Sequence, residues 1–327
     1  MKAWQVIRHG APADVLELAE VPRPTPGPGE LLVRVRAAAA NFPDVLMCEG
    51  TYQVRPPLPF TPGVELCGEV VDKHPDVTGT QIGDRVIGAA ALPSGGFAEY
   101  ALMVAGRTYP APPELDDAEA APFLVTYQTG WFGLHRKARL QPGETLLVHA
   151  AAGGVGSGAV QLGKAAGARV IGVVGGPTKA TLAKELGADI VIDRYQQDFV
   201  AVVKEVTDGK GADVVYDPVG GNSFYKSTKC IAFEGRIIVV GFASGDIPQA
   251  ALNHALVKNY DILGLHWSLY EQRAPELVRA CQLELEKLVS ARRIRTLITQ
   301  RLSLTEVPSA LARLAAGNTT GRMVFIP

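Results

Sequence analysis

Cysteine is scarce in this chain of 327 residues, and the four that occur lie far apart, at Cys48, Cys67, Cys230 and Cys281. No two of them form a CxxC pair, so the clustered thiolates of a structural zinc site are missing. The chain is also too long and too poor in cysteine to be a small disulfide-bonded scaffold. We therefore expect free thiols and a reducing, cytoplasmic setting.

The sequence also lacks long apolar runs and an excess of charge of either sign. No stretch of about 18 uninterrupted apolar residues occurs, and residues 1–10 lack the apolar run of a signal peptide, so we expect no membrane span and no leader. The 32 Lys and Arg residues nearly balance the 33 Asp and Glu residues. This balance gives no electrostatic reason to expect a nucleic-acid partner. The length predicts about two domains.

Residues 1–120 have the pattern of a β-rich domain. Apolar and polar residues alternate over 31–37, which is typical of a half-buried strand, and further short strands are predicted at 68–72 and 85–89. Proline and glycine dominate 22–29 and recur over 56–63. Many short strands between such turns predict a barrel or sandwich.

From about residue 121 to 264, predicted strands alternate with predicted helices. The strands are expected at 146–150, 169–174, 190–192, 213–216 and 237–241, and the helices at 155–166, 179–186 and 200–206. This alternation predicts a doubly wound parallel sheet with right-handed crossovers. Residues 265–327 contain a predicted helix at 275–290 and strands at 297–302 and 323–326. We expect this last segment to return to the first domain and complete it, which makes the α/β domain an insertion.

A glycine-rich turn over 150–156 follows the first strand of the α/β region. Against the pattern G-x-G-x-x-G, Ala151 takes the first glycine position, while Gly153 and Gly156 take the other two. Gly153 would let the backbone approach a pyrophosphate, and Gly154 and Val155 begin a helix whose N–H groups and dipole favour phosphate. Tight turns of this kind also occur without ligands, but the strand–turn–helix context favours a nucleotide.

The end of the second α/β strand bears on the choice between NAD and NADP. A carboxylate there would bind the ribose 2′-hydroxyl of NAD. The chain instead has Gly175, which leaves room for a 2′-phosphate, and Lys179, which could supply a countercharge. Arg194, just after the third strand, is a second candidate. The alternative is that Lys179 is simply a solvated residue of a first helical turn; we predict NADP(H).

Several motifs together resemble the medium-chain dehydrogenase/reductase superfamily over essentially the whole chain. They are the domain order, the turn at 150–156 and the DPVGG segment at 217–221. The segments at 41–44, 63–68 and 126–131 resemble its quinone oxidoreductase (zeta-crystallin-like) branch. The resemblance implies a GroES-like β-rich catalytic domain joined to a Rossmann-type nucleotide-binding domain.

The superfamily also contains zinc alcohol dehydrogenases, and this chain departs from them at the metal positions. Asn41 stands where they carry a cysteine, and Val64 stands where they carry a histidine. An amide is a poor zinc ligand and valine is none. The lobe that holds their structural zinc corresponds to 87–100 here, which contains no cysteine. We therefore expect no metal site.

The loss of zinc narrows the chemistry. Alcohol oxidation needs a metal or base to stabilise an alkoxide, whereas a quinone or enone accepts a hydride directly and develops a less basic oxyanion. The resemblance thus implies an NADPH-dependent quinone reductase. Two alternatives remain open: an alkenal or enoyl double-bond reductase on the same fold, and an NADPH-binding protein with little catalysis.

The resemblance implies catalytic roles for Asn41 and Tyr52. Asn41, with Phe42 beside it, would lie near the nicotinamide and could donate its amide N–H to the substrate oxygen. Tyr52 could donate a hydroxyl proton or stack on a quinone ring. Alternatively, Asn41 caps the following helix and Tyr52 is a loop aromatic that covers the core.

The remaining implied cofactor contacts carry less weight. Thr126 would bind the nicotinamide carboxamide, Gly241 and Phe242 would follow a strand at the carboxyl end of the sheet, and Asn318 would lie near the adenosine phosphate. Arg194 aligns with a family tyrosine, although a shift of one position would select Tyr195 instead.

Three further expectations follow from the resemblance and the residues themselves. Glu65 is retained without zinc neighbours, so we interpret it as a structural residue that pairs with a basic group. Cys48 and Cys67 have no evident activating base and are interpreted as inert thiols. Relatives commonly dimerise edge to edge through the nucleotide domain, so 261–264 is predicted to be the edge strand of a homodimer.

Overall fold

The computed structural model describes residues 1–327, in which strands and helices are numbered in chain order. The strands are β1 (Lys2–Val6), β2 (Leu16–Glu20), β3 (Glu30–Ala39), β4 (Glu65–Lys73), β5 (Arg85–Ala90), β6 (Tyr100–Pro110), β7 (Thr145–His149), β8 (Arg169–Val174), β9 (Ile190–Asp193), β10 (Ala212–Asp217), β11 (Ile231–Val239), β12 (Asp261–Gly264), β13 (Ile298–Ser303) and β14 (Arg322–Ile326). The α-helices are α1 (Pro12–Val15), α2 (Phe42–Glu49), α3 (Asp117–Ala120), α4 (Thr129–Trp131), α5 (Gly154–Ala165), α6 (Pro177–Glu185), α7 (Phe199–Val206), α8 (Gly221–Cys230), α9 (Leu252–Lys258), α10 (Ser268–Arg273), α11 (Pro275–Ser290) and α12 (Val307–Ala315). Two π-helical segments, Leu124–Gln128 and Phe132–Lys137, flank α4, and a 3-10 turn spans Leu304–Glu306. None of the helices combines the length and the apolar character needed to cross a membrane.

The chain forms two compact units. The first contains Met1–Val125 and Arg295–Pro327, and the second contains Thr126–Ile294. The second unit is therefore inserted between the two segments of the first.

The first unit is built around a six-stranded sheet in the order β13-β14-β3-β4-β5-β6. Strand β3 also pairs with β6, so β3, β4, β5 and β6 close on one another like a small barrel. Large apolar side chains fill the interior, and Phe97 meets Phe325 edge to face with ring centroids 5.0 Å apart. Because β14 lies against β3, the C-terminal strand completes this core.

The second unit is a six-stranded, wholly parallel sheet in the order β12-β11-β10-β7-β8-β9. Its central strands are almost entirely buried and mostly apolar, as expected of a sheet covered by helices on both faces. Chain order reverses at β7, between β10 and β8. The predicted doubly wound parallel sheet is confirmed.

The returning segment begins later than the sequence predicts. Helix α11 buries Val278, Cys281 and Leu285, and its Gln282 accepts a hydrogen bond from the side chain of Gln128 at 2.9 Å. These contacts hold α11 in the second unit. The predicted boundary at residue 265 therefore falls inside that unit, which extends to Ile294.

Candidate functional site

The glycine-rich turn joins β7 to α5, and its backbone atoms are packed closely against one another. Gly153 is the N-cap of α5, and its N–H donates to the carbonyl of Ala150 at 2.8 Å. A Cβ at Gly156 would lie 2.1 Å from that same carbonyl oxygen, a distance no side chain tolerates. Glycine at 156 thus lets α5 begin directly against the end of β7. The first N–H groups of the helix, at Gly154 and Val155, have no intrahelical partner and offer a positive dipole end.

Parallel pairing brings the other predicted residues of this unit to the same edge of the sheet. The carboxyl ends of all six strands lie at one edge, and each predicted position follows a strand there. These positions are Gly153, Gly154, Val155 and Gly156 after β7, Gly175 and Lys179 after β8, Arg194 after β9, and Gly241 and Phe242 after β11.

The region after β8 and β9 combines two cations with an aromatic ring. The ring of Tyr195 covers Gly175, where a Cβ would lie 3.0 Å from ring carbons. The guanidinium of Arg194 lies 5.2 Å from the centroid of that ring and donates to its hydroxyl at 3.4 Å. Lys179 is half-buried, and its pKa is lowered first by burial, with Tyr195 raising and Arg194 lowering it. The structure thus places both Arg194 and Tyr195 beside this corner.

The one carboxylate at this corner, Asp193, is already bound to backbone. Its Oδ1 accepts the N–H of Gly176 at 2.9 Å and the N–H of Tyr195 at 3.1 Å. It therefore shapes the turn, and the exposed groups around it are cationic or aromatic.

Thr126 lies in the π-helical segment Leu124–Gln128, and its side chain is fully buried. Its hydroxyl has no hydrogen-bond partner, which is unusual for a buried polar atom. Gly158 of α5 makes a close approach possible, because a Cβ there would lie 2.8 Å from the carbonyl oxygen of Thr126. A buried hydroxyl without a partner, held this close to α5, is suited to form a hydrogen bond with a ligand.

In the first unit, Asn41 is buried and forms the N-cap of α2. Its side-chain N–H groups donate to Glu65 Oε1 at 3.0 Å and to the carbonyl of Ala39 at 3.2 Å. Its Oδ1 accepts from Arg322 Nη2 at 2.8 Å. An amide has only two N–H donors, and both are taken. Donation from Asn41 to a substrate oxygen, which stays a prediction, would require the substrate to replace one of these two acceptors.

Glu65 and Arg322 form a buried ion pair, which confirms the expected basic partner of Glu65. Arg322 Nη2 contacts Glu65 Oε1, and the two side chains are 5% and 1% exposed. The other carboxylate oxygen, Oε2, accepts the N–H of Val125 at 3.0 Å. Burial raises the pKa of Glu65 and lowers that of Arg322, and the attraction between the two groups opposes both shifts.

Asp44 adds a second buried carboxylate nearby. It accepts backbone N–H bonds from Asn41 at 2.8 Å, Gly63 at 3.0 Å and Val64 at 3.1 Å. Burial raises its pKa to about 7, although the backbone donors lower it. We refer to Asn41, Asp44, Glu65 and Arg322 together as the Glu65 cluster.

The donor set of the Glu65 cluster does not fit zinc. Glu65 is surrounded by an amide, a valine and a guanidinium, and a buried guanidinium repels a second cation and cannot ligate it. No group of three or more His, Cys, Asp or Glu side chains in the chain is arranged to hold a metal ion.

The remaining predicted residues of the first unit are less constrained. Phe42 is half-buried as the first residue of α2. Tyr52, just after α2, is half-buried against the core, and burial, followed by the charge of Asp44, raises its pKa. Asn318 is exposed in the turn after α12, where its N–H donates to the carbonyl of Arg313 at 3.0 Å.

Sequence reasoning missed Arg322 and the buried role of Asp44. The sequence contains a signal for Arg322, which begins the strand sequence RMVFI, in which the other four residues are all apolar. A charged residue so close to a buried strand needs a partner. The sequence does not say which carboxylate that partner is.

The fold and the turn define a two-domain oxidoreductase with a dinucleotide-binding domain. Residues 27–113 match the family model described as the alcohol dehydrogenase GroES-like domain, and residues 154–282 match that described as zinc-binding dehydrogenase. Despite the second description, the Glu65 cluster has no zinc ligand set.

Individual relatives narrow the family further. The chain is 37% identical to the quinone oxidoreductase of Pseudomonas aeruginosa over 100% of this chain and 99% of that protein. It is 39% identical to a quinone oxidoreductase-like protein 2 homolog of Nematostella vectensis, over 91% of this chain and 82% of that protein. The crystal structure of Escherichia coli quinone oxidoreductase complexed with NADPH covers 100% of both chains, with a TM-score of 0.92 and 30% identity. The chain belongs to the quinone oxidoreductase branch of the medium-chain dehydrogenase/reductase superfamily.

Proposed function

We propose that this protein transfers a hydride from NADPH to a quinone or a related conjugated carbonyl without a metal ion. The observation that carries the proposal is the carboxyl edge of the parallel sheet. There a helix begins against a glycine turn, the position of an NAD-specific carboxylate after β8 is a glycine, and two cations, Lys179 and Arg194, lie near it. The E. coli relative that was solved with NADPH supports the same cofactor.

The residues present fit NADP(H). Gly153, Gly154, Val155 and Gly156 would hold the pyrophosphate against the start of α5, because Gly156 lets the helix begin directly after β7 and its first N–H groups have no intrahelical partner. Lys179 and Arg194 would hold the 2′-phosphate, beside the ring of Tyr195 that lies over Gly175. The buried hydroxyl of Thr126 would bind the nicotinamide carboxamide. We assign Gly241, Phe242, Phe42 and Asn318 to the same cofactor on the family resemblance.

When bound, NADPH supplies the hydride, and the protein has to orient the acceptor and stabilise the oxyanion that develops on it. Burial raises the pKa of Tyr52, so its hydroxyl stays protonated at neutral pH and can donate. We propose Tyr52 as the donor or stacking partner of the substrate. Asn41, whose amide is held within the Glu65 cluster, remains our second proposed donor to the substrate oxygen.

Steady-state rates with NADPH and NADH against a panel of quinones and 2-alkenals test this function. We expect turnover of quinones, a preference for NADPH and the same rates in EDTA. Turnover of 2-alkenals alone would point to a double-bond reductase. NADPH binding without turnover of any acceptor would show that the protein is not a reductase of these compounds.

We also propose a homodimer formed through β12. This strand is an edge of the parallel sheet, and an unpaired edge invites a second strand. Helix α9, which precedes β12, buries none of its residues and exposes Leu252, Leu256 and Val257 by 77%, 77% and 75%. A monomeric mass by light scattering would rule the dimer out.

A further inference from the structure

Glu65 has a hydrogen-bonding environment that only a carboxylate can satisfy. Three donors converge on its two oxygens: Arg322 Nη2 and Asn41 Nδ2 on Oε1, and the N–H of Val125 on Oε2. A carboxylate offers acceptors on both edges, whereas an amide offers an acceptor on one edge and a donor on the other. Glutamine at position 65 would therefore turn an NH2 group toward one of these donors.

The orientation of Asn41 cannot relieve that conflict. Its Oδ1 already accepts from Arg322, so turning the amide over would set its NH2 group against the guanidinium. The oxygen of a glutamine would face the two donors, Arg322 and Asn41, because the guanidinium is charged. Its NH2 group would then face Val125, whose N–H would lose its acceptor.

Val125 is the residue before Thr126, and both lie in the π-helical segment Leu124–Gln128. π-helical turns are rare and often occur at functional sites. One edge of the Glu65 carboxylate thus fixes Asn41, and the other fixes the backbone one peptide bond before the buried, unpartnered hydroxyl of Thr126. Arg322 supplies the charge without which a buried carboxylate is costly.

We propose that Glu65 is a positioning residue for hydride transfer, which acts through the N–H of Val125 on Thr126 and through the side-chain amide of Asn41. The proposal rests on the proposed function. It predicts that changes at Glu65 alter the geometry in which the cofactor reacts more than they alter its binding, because the glycine turn at 153–156, Lys179 and Arg194, which are assigned to the phosphates, lie in the other unit.

Two variants test the proposal together. E65Q keeps the size of the side chain but sets an NH2 group against Val125. E65D keeps the negative charge that balances Arg322. Its side chain is one methylene shorter, so it cannot reach both the N–H of Val125 and the donors of Arg322 and Asn41. E144Q is the matched control, since Glu144 also pairs with an arginine, Arg236, and contacts none of the residues assigned to the site.

Three measurements are made on wild type and variants: hydrogen exchange of peptides that cover 120–131, the NADPH dissociation constant, and quinone turnover with NADPH or NADPH deuterated at the transferred position. For E65Q and E65D we expect faster exchange, a dissociation constant within about threefold of wild type, and turnover lowered by about tenfold or more with a larger isotope effect. E144Q should match wild type in all three.

The positioning role would be overturned if either Glu65 variant folds and matches wild type in hydrogen exchange, turnover and isotope effect. If E65Q fails to fold, E65D decides the matter by the same criteria. Equal losses in E144Q would also overturn it. Wild type is measured first, so wild-type protein that binds NADPH but reduces no acceptor would instead overturn the proposed function and, with it, this role.

Discussion

The glycine turn of the second unit and the Glu65 cluster of the first unit are built in opposite ways. The turn is local: Ala150, Gly153 and Gly156 lie within seven consecutive residues and contact one another through backbone atoms. The cluster joins residues that are far apart in sequence, since Arg322 binds Asn41 across 281 positions and Glu65 across 257. The turn depends on glycines because they carry no side chain. The cluster depends on buried charged groups, each of which needs a partner.

This difference determines which kind of substitution disrupts each region. A glycine turn fails when a side chain is added, because the new atom meets backbone that cannot move cheaply. A buried ionic cluster fails when one partner is removed or changes charge, because an uncompensated charge remains in a medium of low dielectric constant. The predictions below separate these two modes.

The largest effect is expected for N41D in the Glu65 cluster. The new carboxylate would face Glu65 at the 3.0 Å now spanned by a hydrogen bond, and Arg322 would be the only cation in a cluster that also contains Asp44. We expect a loss of about 3–5 kcal/mol in the free energy of unfolding at pH 8. N222D, the same change at an exposed position, is the control and should have little effect.

The loss in N41D should also depend on pH. Two carboxylates this close share a proton, so the folded-state pKa of the pair rises above the unfolded value of about 4. Between the unfolded and the folded pKa values, the folded state binds more protons than the unfolded state. The free energy of unfolding therefore falls as pH rises through this range. Chemical denaturation at pH 5 and pH 8 checks this. A deficit that is equal at both pH values would contradict the buried contact.

The second prediction concerns the turn. In G156A the added Cβ would meet the carbonyl oxygen of Ala150 at 2.1 Å, so the start of α5 has to move away from β7. We expect NADPH affinity to fall by roughly 100-fold and stability by about 1–3 kcal/mol, without dependence on pH. Titration of NADPH fluorescence measures the affinity.

The control for G156A is G106A in β6, where a Cβ would meet no atom within 4 Å. It should bind NADPH like wild type. If G156A also binds NADPH like wild type, the turn does not hold the pyrophosphate, and the contrast between the two regions disappears.

The same contrast explains what the sequence could predict. The alternation of strands and helices in the second unit, the turn and the position of Lys179 all follow from local patterns, and the structure has α11 at Pro275–Ser290 as the periodicity indicates. The Glu65 cluster could be predicted only in part. A basic partner for Glu65 is expected because Glu65 is retained without zinc neighbours, but the identity of that partner depends on the pairing of β14 with β3, which no local pattern reports.

The end of the second unit follows the same rule. Helix α11 was predicted correctly as a helix, yet its place was not, because its side chains could be buried equally well in either unit as far as periodicity shows. The contact between Gln128 and Gln282, 154 positions apart, is what the local pattern could not supply.

The smallest effect on the fold is expected at the corner after β8. K179A adds no atom, and Lys179 is only half-buried beside the exposed Arg194. We expect the fold to remain stable and the NADPH dissociation constant to rise about tenfold, while that for NADH changes little. K184A, an exposed lysine in the last turn of the same helix, is the matched control and should leave both constants unchanged. Equal losses for NADPH and NADH would mean that the 2′-phosphate binds elsewhere, and R194A would then be the variant to discriminate between the two cofactors.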